Sequence, residues 1–217
     1  MATYTVTTLD DIVDDLDGLT SLREAVALAN ADVFIDTITF AAAGTITLSS
    51  TLDVTEMVTI NGDIGDDHTA DITIDGGGTV QLFDATAAIA LQGLVLTHGH
   101  SDLDGGAITS TGAVVIVDSS LIDNTALASG GGVSASGDVA IVNSTLSGNS
   151  ADSGGGGAVA AGGTLTLTDS SLVNNSALAD GGGAYVNGSV TITGSTVANN
   201  AGGHGGGINT VGALTAT

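Results

Sequence analysis

The stretch that decides the fold is residues 112–142, GAVVIVDSSLIDNTALASGGGVSASGDVAIV. It opens and closes with a six-residue segment that starts with glycine and has apolar residues at its third and fifth places. Segments of the same form start at Gly163, Gly188 and Gly212, so successive segments lie 25, 26, 25 and 24 residues apart. Strict alternation buries one set of side chains and exposes the other. A fixed period of this length is typical of a solenoid.

Aligning the five segments gives two apolar ladders. The third-place residues are Val114, Val139, Leu165, Val190 and Leu214, and the fifth-place residues are Ile116, Ile141, Leu167, Ile192 and Ala216. An earlier coil fits the same frame, because Ile89, Leu91 and Leu96 lie 25 residues before Val114, Ile116 and Leu121. We therefore expect these side chains to stack inside the molecule, coil upon coil.

A second motif, S-x-[LV]-x-x-N, follows each of the first four segments and ends at Asn124, Asn149, Asn175 and Asn200. In stacked coils these asparagines would lie on one another and form a ladder of side-chain amides hydrogen-bonded from coil to coil. A glycine cluster such as GGGV at 130–133 then follows. Glycine tolerates the positive φ angles that tight corners require.

One coil cannot bury its own apolar face, but coils stacked about 4.8 Å apart form parallel ladders around a continuous core. Connections between parallel strands are right-handed. The sequence therefore predicts an all-β fold, a right-handed parallel β-helix or β-solenoid of the pectate-lyase-like kind. A leucine-rich repeat is the rival solenoid, but its leucine consensus is absent.

Residues 1–37 differ from the repeats and are expected to form an N-terminal cap of strand, acidic loop and helix. The cap loop contains Asp10, Asp11, Asp14, Asp15 and Asp17. Ser21, Leu22, Arg23 and Glu24 form a capping box that opens a short helix, which would shield the end of the core. Residues 38–217 are then the β-helix, irregular at first and with regular coils of about 25 residues from about residue 86 onward.

The charge of the chain is extreme: 24 acidic side chains face a single basic one, Arg23, for a net charge of −23. Phosphate backbones and anionic lipids would be repelled, so we expect no nucleic-acid partner. An acidic surface instead suits divalent cations or high salt. No apolar run is long enough for a transmembrane helix, so no membrane insertion is expected. The absence of cysteine excludes disulfides and thiolate metal sites.

The acidic loop, residues 62–71, contains the candidate metal ligands Asp63, Asp66, Asp67 and Asp71. Carboxylates this close repel one another, and a calcium ion would relieve that repulsion. Their spacing matches neither an EF-hand nor the glycine-rich calcium nonapeptide. The alternative is that the aspartates occupy solvated turns, where Asp is a favoured residue.

A second polar cluster contains His98, His100, Asp102 and Asp104. Imidazole and carboxylate groups together can bind a transition metal. The alternative is a corner between coils, because His98 aligns with Asp123 in the repeat frame.

Two parts of the chain resemble known families. Residues 5–8 and 20–25, TVTT and TSLREA, resemble the CSLREA domain of large bacterial surface and secreted proteins, with Thr20 in place of the Cys. The coils resemble polymorphic outer-membrane-protein repeats, which carry GGA[ILV] and FxxN, although Leu121, Leu146, Leu172 and Val197 stand where that family has Phe. The resemblance implies a right-handed β-helix in an extracellular or cell-surface adhesin or filament, and it implies no enzyme activity.

Two classes of function remain open. The first is a structural or adhesive module that self-associates through the solenoid ends or continues in a longer chain, with a glycan or surface partner. The second is a carbohydrate-binding or carbohydrate-cleaving β-helix with an acid pair. Lyase chemistry needs a strong base, and the single basic side chain, Arg23, lies in the cap. Aromatic residues are only 2% of the chain, so we expect the structural module and no enzyme.

Overall fold

Parallel strands wind around one apolar core in about seven turns. The computed structural model describes residues 1–14, 16–31 and 33–217, and these contain one helix and 26 strands. The predicted all-β, right-handed parallel β-helix is confirmed. Asp15, part of the cap loop predicted before the helix, lies outside the described residues. In the part that is described, no helix is long and apolar enough to span a bilayer.

The chain begins with β1 (Thr3–Val6) and α1 (Leu22–Ala29). The first three coils follow. They contain β2 (Asp36–Phe40), β3 (Gly44–Thr47) and β4 (Leu52–Val54); then β5 (Val58–Asn61), β6 (Ile72–Val80) and β7 (Phe83–Ala85); then β8 (Ile89–Gln92), β9 (Leu94–Ser101) and β10 (Ile108–Ser110). Since β1 pairs with β2, the first strand of the predicted cap is part of the β-helix itself.

The next three coils are regular and have four strands each. They contain β11 (Val114–Val117), β12 (Ser120–Ile122), β13 (Thr125–Ala126) and β14 (Val133–Ala135); then β15 (Val139–Val142), β16 (Thr145–Ser147), β17 (Ser150–Ala151) and β18 (Val159–Ala161); then β19 (Leu165–Thr168), β20 (Ser171–Val173), β21 (Ser176–Ala177) and β22 (Ala184–Val186). The last coil contains β23 (Val190–Thr193), β24 (Thr196–Ala198) and β25 (Ile208–Thr210), and β26 (Leu214–Ala216) follows it.

Three parallel sheets form the sides of the solenoid. Sheet 1 has nine strands in the order β1-β2-β5-β8-β11-β15-β19-β23-β26. Sheet 2 has seven, β4-β7-β10-β14-β18-β22-β25, and sheet 3 contains the remaining strands. The register matches the repeat frame, since Val114 pairs with Val139, Val139 with Leu165 and Leu165 with Val190.

The core is built from the predicted aliphatic ladders. Val114, Val139, Leu165 and Val190 are at most 1% exposed and belong to one sheet, as predicted. Burying side chains of this size stabilises the fold by about 1.5–3 kcal/mol each. In the last coil Ile192 is only partly buried, and Leu214 in β26 is 54% exposed.

At two corners of the coil, residues with positive φ stack on one another from coil to coil and form ladders. One contains Gly93, Asp118, Asn143, Asp169 and Gly194, and the other contains His98, Asp123, Gly148, Asn174 and Asn199. Asp, Asn and His are the non-glycine residues most enriched in this region. His98 is therefore a corner residue, in line with Asp123, as the corner alternative expects.

At the third corner the glycine clusters serve two purposes. Gly130 has a φ of +67°, which favours glycine. Gly157 is required by close approach, because a Cβ atom there would lie 2.1 Å from the Gly182 carbonyl oxygen of the next coil. The repeated glycines thus let adjacent coils come within hydrogen-bonding distance.

Candidate functional sites

The asparagine ladder is a continuous chain of buried amides. The Asn149 Nδ2 atom donates to the Leu121 carbonyl oxygen and to the Asn175 Oδ1 atom, both at 3.0 Å. Its Oδ1 atom accepts from the Asn124 backbone N–H at 3.1 Å and from the Asn124 Nδ2 atom at 3.0 Å. The chain of amides continues from Asn175 to Asn200 at 3.0 Å. Every hydrogen-bonding capacity of the Asn149 side chain is used inside the protein.

A serine ladder that was not predicted from the sequence runs beside the asparagines. The Ser144 Oγ atom accepts from the Ser119 backbone N–H at 3.0 Å and donates to the Val142 carbonyl oxygen at 2.7 Å. The Ser170 Oγ atom likewise accepts from the Ser144 backbone N–H at 3.2 Å. The first residue of the S-x-[LV]-x-x-N motif was the signal for this ladder. Serine at that place bridges two coils where the backbone turns between sheets 1 and 3.

The cap is attached through Arg23. Its Nε and Nη2 atoms donate to the two Asp11 carboxylate oxygens at 2.9 and 2.8 Å, and Nη1 and Nη2 also reach the Thr51 and Ser50 carbonyl oxygens at 3.0 and 2.7 Å. Burial raises the pKa of the Asp11 carboxyl, but hydrogen bonds from Arg23 and Ser49 outweigh that effect and leave the pKa below its ordinary value. The single basic side chain of the protein therefore joins the cap to the first coil.

The predicted capping box is present at the start of α1. The Ser21 Oγ atom accepts from the Glu24 backbone N–H at 3.1 Å, and the Glu24 carboxylate accepts from the Ser21 N–H at 2.8 Å. Leu22 is 1% exposed and packs in the core. Backbone hydrogen bonds from Ser21 and Asp14 lower the pKa of Glu24.

In the acidic loop, three of the four predicted calcium ligands act as turn acceptors. Asp63 is 6% exposed and accepts from the backbone N–H groups of Asp67 and His68 at 3.1 and 3.0 Å. Asp71 accepts from Ile64 N–H at 2.9 Å. These are the contacts that the turn alternative expects.

Asp67 accepts from Thr69, whose side-chain and backbone hydrogen bonds lower the Asp67 pKa. Asp66 occupies a turn with a φ of +53°. Across residues 1–14, 16–31 and 33–217, no three His, Cys, Asp or Glu side chains are grouped so as to hold a metal ion. Calcium binding by Asp63, Asp66, Asp67 and Asp71 stays a prediction.

Each of the four histidines lies beside an aspartate. His98 Nδ1 is 3.1 Å from Asp75, and His204 Nδ1 is 3.0 Å from Asp180. His100 Nε2 is 3.4 Å from Asp102. His98 and His100, predicted as members of one cluster, therefore contact different aspartates. His68 pairs with Asp118, a contact between the acidic loop and the first corner ladder.

A shallow groove of about 250 Å³, not predicted from the sequence, lies on the outside of sheet 2. Its polar lining includes Asp104, Ser129, Ser134, Tyr185 and Asn187. These residues come from three coils, and alanines of the coil between them complete the lining, so only the stacking of the coils brings them together. Hydroxyl, carboxylate and amide groups next to a tyrosine ring are the kind of surface that binds a sugar.

Fold and ladders together define a parallel β-helix whose coils are joined by internal asparagine and serine hydrogen bonds. No protein-family model matches the chain. A search of curated proteins likewise finds no similar sequence.

Proposed function

We propose that this chain is a structural and adhesive β-solenoid module of a secreted or cell-surface bacterial protein, and not an enzyme. The observation that supports the proposal is that the buried polar side chains hydrogen-bond one coil to the next. Asn149, Asn175, Ser144 and Ser170 are at most 4% exposed, and they join each coil to the next. Arg23 joins the cap to the coils in the same way. Such a scaffold presents long, rigid outer faces.

Continuation of the stack belongs to the same proposal. Leu214 extends a ladder that is buried in the earlier coils, but its own side chain is 54% exposed. A further coil would cover it and pair with β26. Under this proposal such a coil would come from the same polypeptide or from another copy stacked end to end into a filament. Calcium bound at the acidic loop is the proposed ligand.

The second candidate function is carbohydrate binding or cleavage, and the groove beside Tyr185 favours it. Tyr185 is partly exposed there and offers a ring for sugar stacking next to Asp104 and Asn187. One carboxylate and one ring make a better binding surface than a hydrolytic site, which needs two positioned carboxylates. Neutral glycans are the matching ligands, because a chain of net charge −23 repels acidic ones.

Surface display tests the adhesive role. A non-adherent bacterium displaying the chain should attach to abiotic surfaces several times more than one displaying the core variant Leu146→Asp. That variant buries an unpaired carboxylate at a site that is 0% exposed and should not fold. Equal attachment by the two strains would contradict the adhesive role.

Incubation with polygalacturonate, alginate and neutral polysaccharides separates the two functions. The structural proposal expects neither reducing ends nor unsaturated products. Binding to a glycan array that Tyr185→Ala abolishes would instead support the carbohydrate function. Turnover that Asp104→Asn removes would show that the second candidate is a hydrolase.

A further inference from the structure

The outside of sheet 1 presents two columns of uncharged side chains, because alternate residues of each strand point outward and stack in register. The first column contains Thr3, Thr37, Thr59, Ala90, Val115, Ala140, Thr166, Thr191 and Thr215. The second contains Thr5, Thr39, Asn61, Gln92, Val117, Val142, Thr168 and Thr193. All of these residues belong to the described part of the chain, and threonine is the commonest residue in both columns.

The threonine hydroxyls of these columns are available to water. Neighbouring hydroxyls come close to each other, since the Oγ1 atoms of Thr5 and Thr39 are 3.2 Å apart and those of Thr193 and Thr217 are 3.3 Å apart. A hydroxyl has one donor and two acceptor positions, so a threonine that bonds its neighbour can still bind a water molecule. Among the described residues, the Thr191 hydroxyl has no hydrogen-bond partner at all. The columns are therefore rows of water-binding groups.

The spacing of the rows is regular in two directions. Adjacent coils lie about 4.8 Å apart, and outward residues of one parallel strand lie about 6.6 Å apart. Oxygen atoms on a prism face of hexagonal ice repeat on a rectangular net of closely similar dimensions. Water molecules held by the threonine hydroxyls therefore lie near the positions that they would occupy in ice, and the parallel register repeats this match from coil to coil.

The strands β8, β11 and β15 continue the same net with methyl groups. Apart from Gln92, their outward residues are alanine or valine, among them Val115, which is 37% exposed. Valine has the shape of threonine with a methyl group in place of the hydroxyl. Water beside methyl groups loses orientational freedom and bonds to other water, so these strands favour an ordered water layer between the threonine rows.

The chemistry of the columns separates ice from other extended ligands. A mineral surface or a charged polymer is bound by ionic side chains, and a polysaccharide stacks on aromatic rings. The two columns contain neither, although the chain carries 24 acidic side chains. A charge on this face would also orient nearby water around itself and disturb an ice-like layer. The net charge of −23 on the rest of the surface keeps the molecules apart in solution.

We infer that the outward face of sheet 1 binds ice, through water molecules ordered by its threonine hydroxyls and its methyl groups. The ligand is crystalline water, and the protein adsorbs to it without any covalent step. An adsorbed molecule stops the ice front beneath it and forces the front to curve between neighbouring molecules, which lowers the temperature at which the crystal grows. The inference does not depend on the proposed adhesive function, since its test measures ice growth and not attachment.

Thermal hysteresis, the gap between the melting temperature and the growth temperature of a single seed crystal, measures this binding. We expect a gap for the full chain that widens with protein concentration. Thr191→Tyr should remove most of the gap, because a ring among the threonine rows holds the ice front away from the face. Thr196→Tyr is the matched control: it makes the same change at an exposed threonine of the same coil on the outside of sheet 3, and it should leave the gap unchanged.

Circular dichroism and thermal melts of both variants exclude unfolding as the cause. Partition into slowly growing ice gives a second measurement. The fraction of protein in the ice should be similar for the wild type and Thr196→Tyr and clearly lower for Thr191→Tyr. A folded wild type that gives no gap and is excluded from the ice, or an equal loss in Thr191→Tyr and Thr196→Tyr, would overturn the inference.

Discussion

The Nδ1 atom of His68 lies 2.9 Å from the Oδ2 atom of Asp118, although the two residues are 50 positions apart in the chain. Asp118 is a corner residue that is 9% exposed, and its other oxygen accepts from the Asn143 Nδ2 atom at 2.6 Å. His68 has a φ of +66° in the acidic loop. The contact therefore fastens a loop that carries four aspartates to the corner ladder of the regular coils.

The strength of this contact depends on pH. The hydrogen bond to Asp118 and then its charge raise the pKa of the His68 imidazole. Burial raises the pKa of the Asp118 carboxyl, but hydrogen bonds from His68 and Asn143 and the His68 charge outweigh it and lower the pKa. The stabilisation is thus complete between about pH 4 and 6.5. It disappears as the pH rises through the raised His68 pKa or falls through the lowered Asp118 pKa.

We predict that the melting temperature of the wild type exceeds that of His68→Asn within this pH window and that the two converge above it. Asparagine suits the positive φ at residue 68. An NMR titration should place the His68 pKa above the ordinary value, and Asp118→Asn should return it toward about 6.5. A constant difference in melting temperature at all pH values would contradict this prediction.

Removing one amide from the ladder should be costly. Asn149→Ala leaves the Leu121 carbonyl, the Asn175 Oδ1 atom and the Asn124 N–H and Nδ2 groups without their partner in a site that is 0% exposed. We expect the free energy of unfolding to fall by about 2–4 kcal/mol in urea denaturation. The control Asn187→Ala removes an exposed amide on the same solenoid and should change it by less than about 0.5 kcal/mol. Similar losses for both variants would exclude the ladder as the cause.

Arg23→Ala should release the cap. The Asp11 side chain is 4% exposed, so it would lose its cation and stay largely buried. We expect a loss of about 2–3 kcal/mol in the free energy of unfolding. The double variant Arg23→Ala with Asp11→Ala should recover part of this loss, because the unpaired carboxylate is then gone. Hydrogen exchange should show faster opening of α1; protection as strong as in the wild type would contradict the prediction.

Calcium and salt should both raise the melting temperature. With 24 acidic side chains against one basic side chain, screening relieves repulsion in the folded state. A specific site in the acidic loop predicts that calcium acts more strongly than magnesium at matched ionic strength. Asp66→Asn should then remove the excess calcium effect, whereas Asp169→Asn, the same charge change at a corner with positive φ, should not. An unchanged melting temperature in calcium, in magnesium, with chelator and in high salt would refute both the specific calcium site and the stabilisation by charge screening.

The regular coils were predictable because identical positions meet in register. Val114 stacks on Val139 since each lies at the same place in its coil, and the same reasoning brings Asn149 to Asn175. The first coils lack that periodicity. The pairing of β1 with β2, across the cap helix, therefore did not follow from the repeat.

The candidate sites were less predictable, because contacts between different positions of different coils have no period. Nothing in the spacing of His68 and Asp118 indicates that they meet. The groove beside Tyr185 likewise takes its residues from four coils. The aspartates of the acidic loop were predicted as a group, but the hydrogen bonds from Asp67 and His68 to Asp63 depend on the loop's own path.

The sequence by itself determined the parallel β-helix, the two aliphatic ladders and the asparagine ladder, since a solenoid repeats its nearest-neighbour contacts and one coil specifies the next. Only the tertiary structure decided which partners the acidic and imidazole groups take. These features depend on distances between residues that share no position in the repeat. His68 reaches Asp118 because the coils are stacked in space.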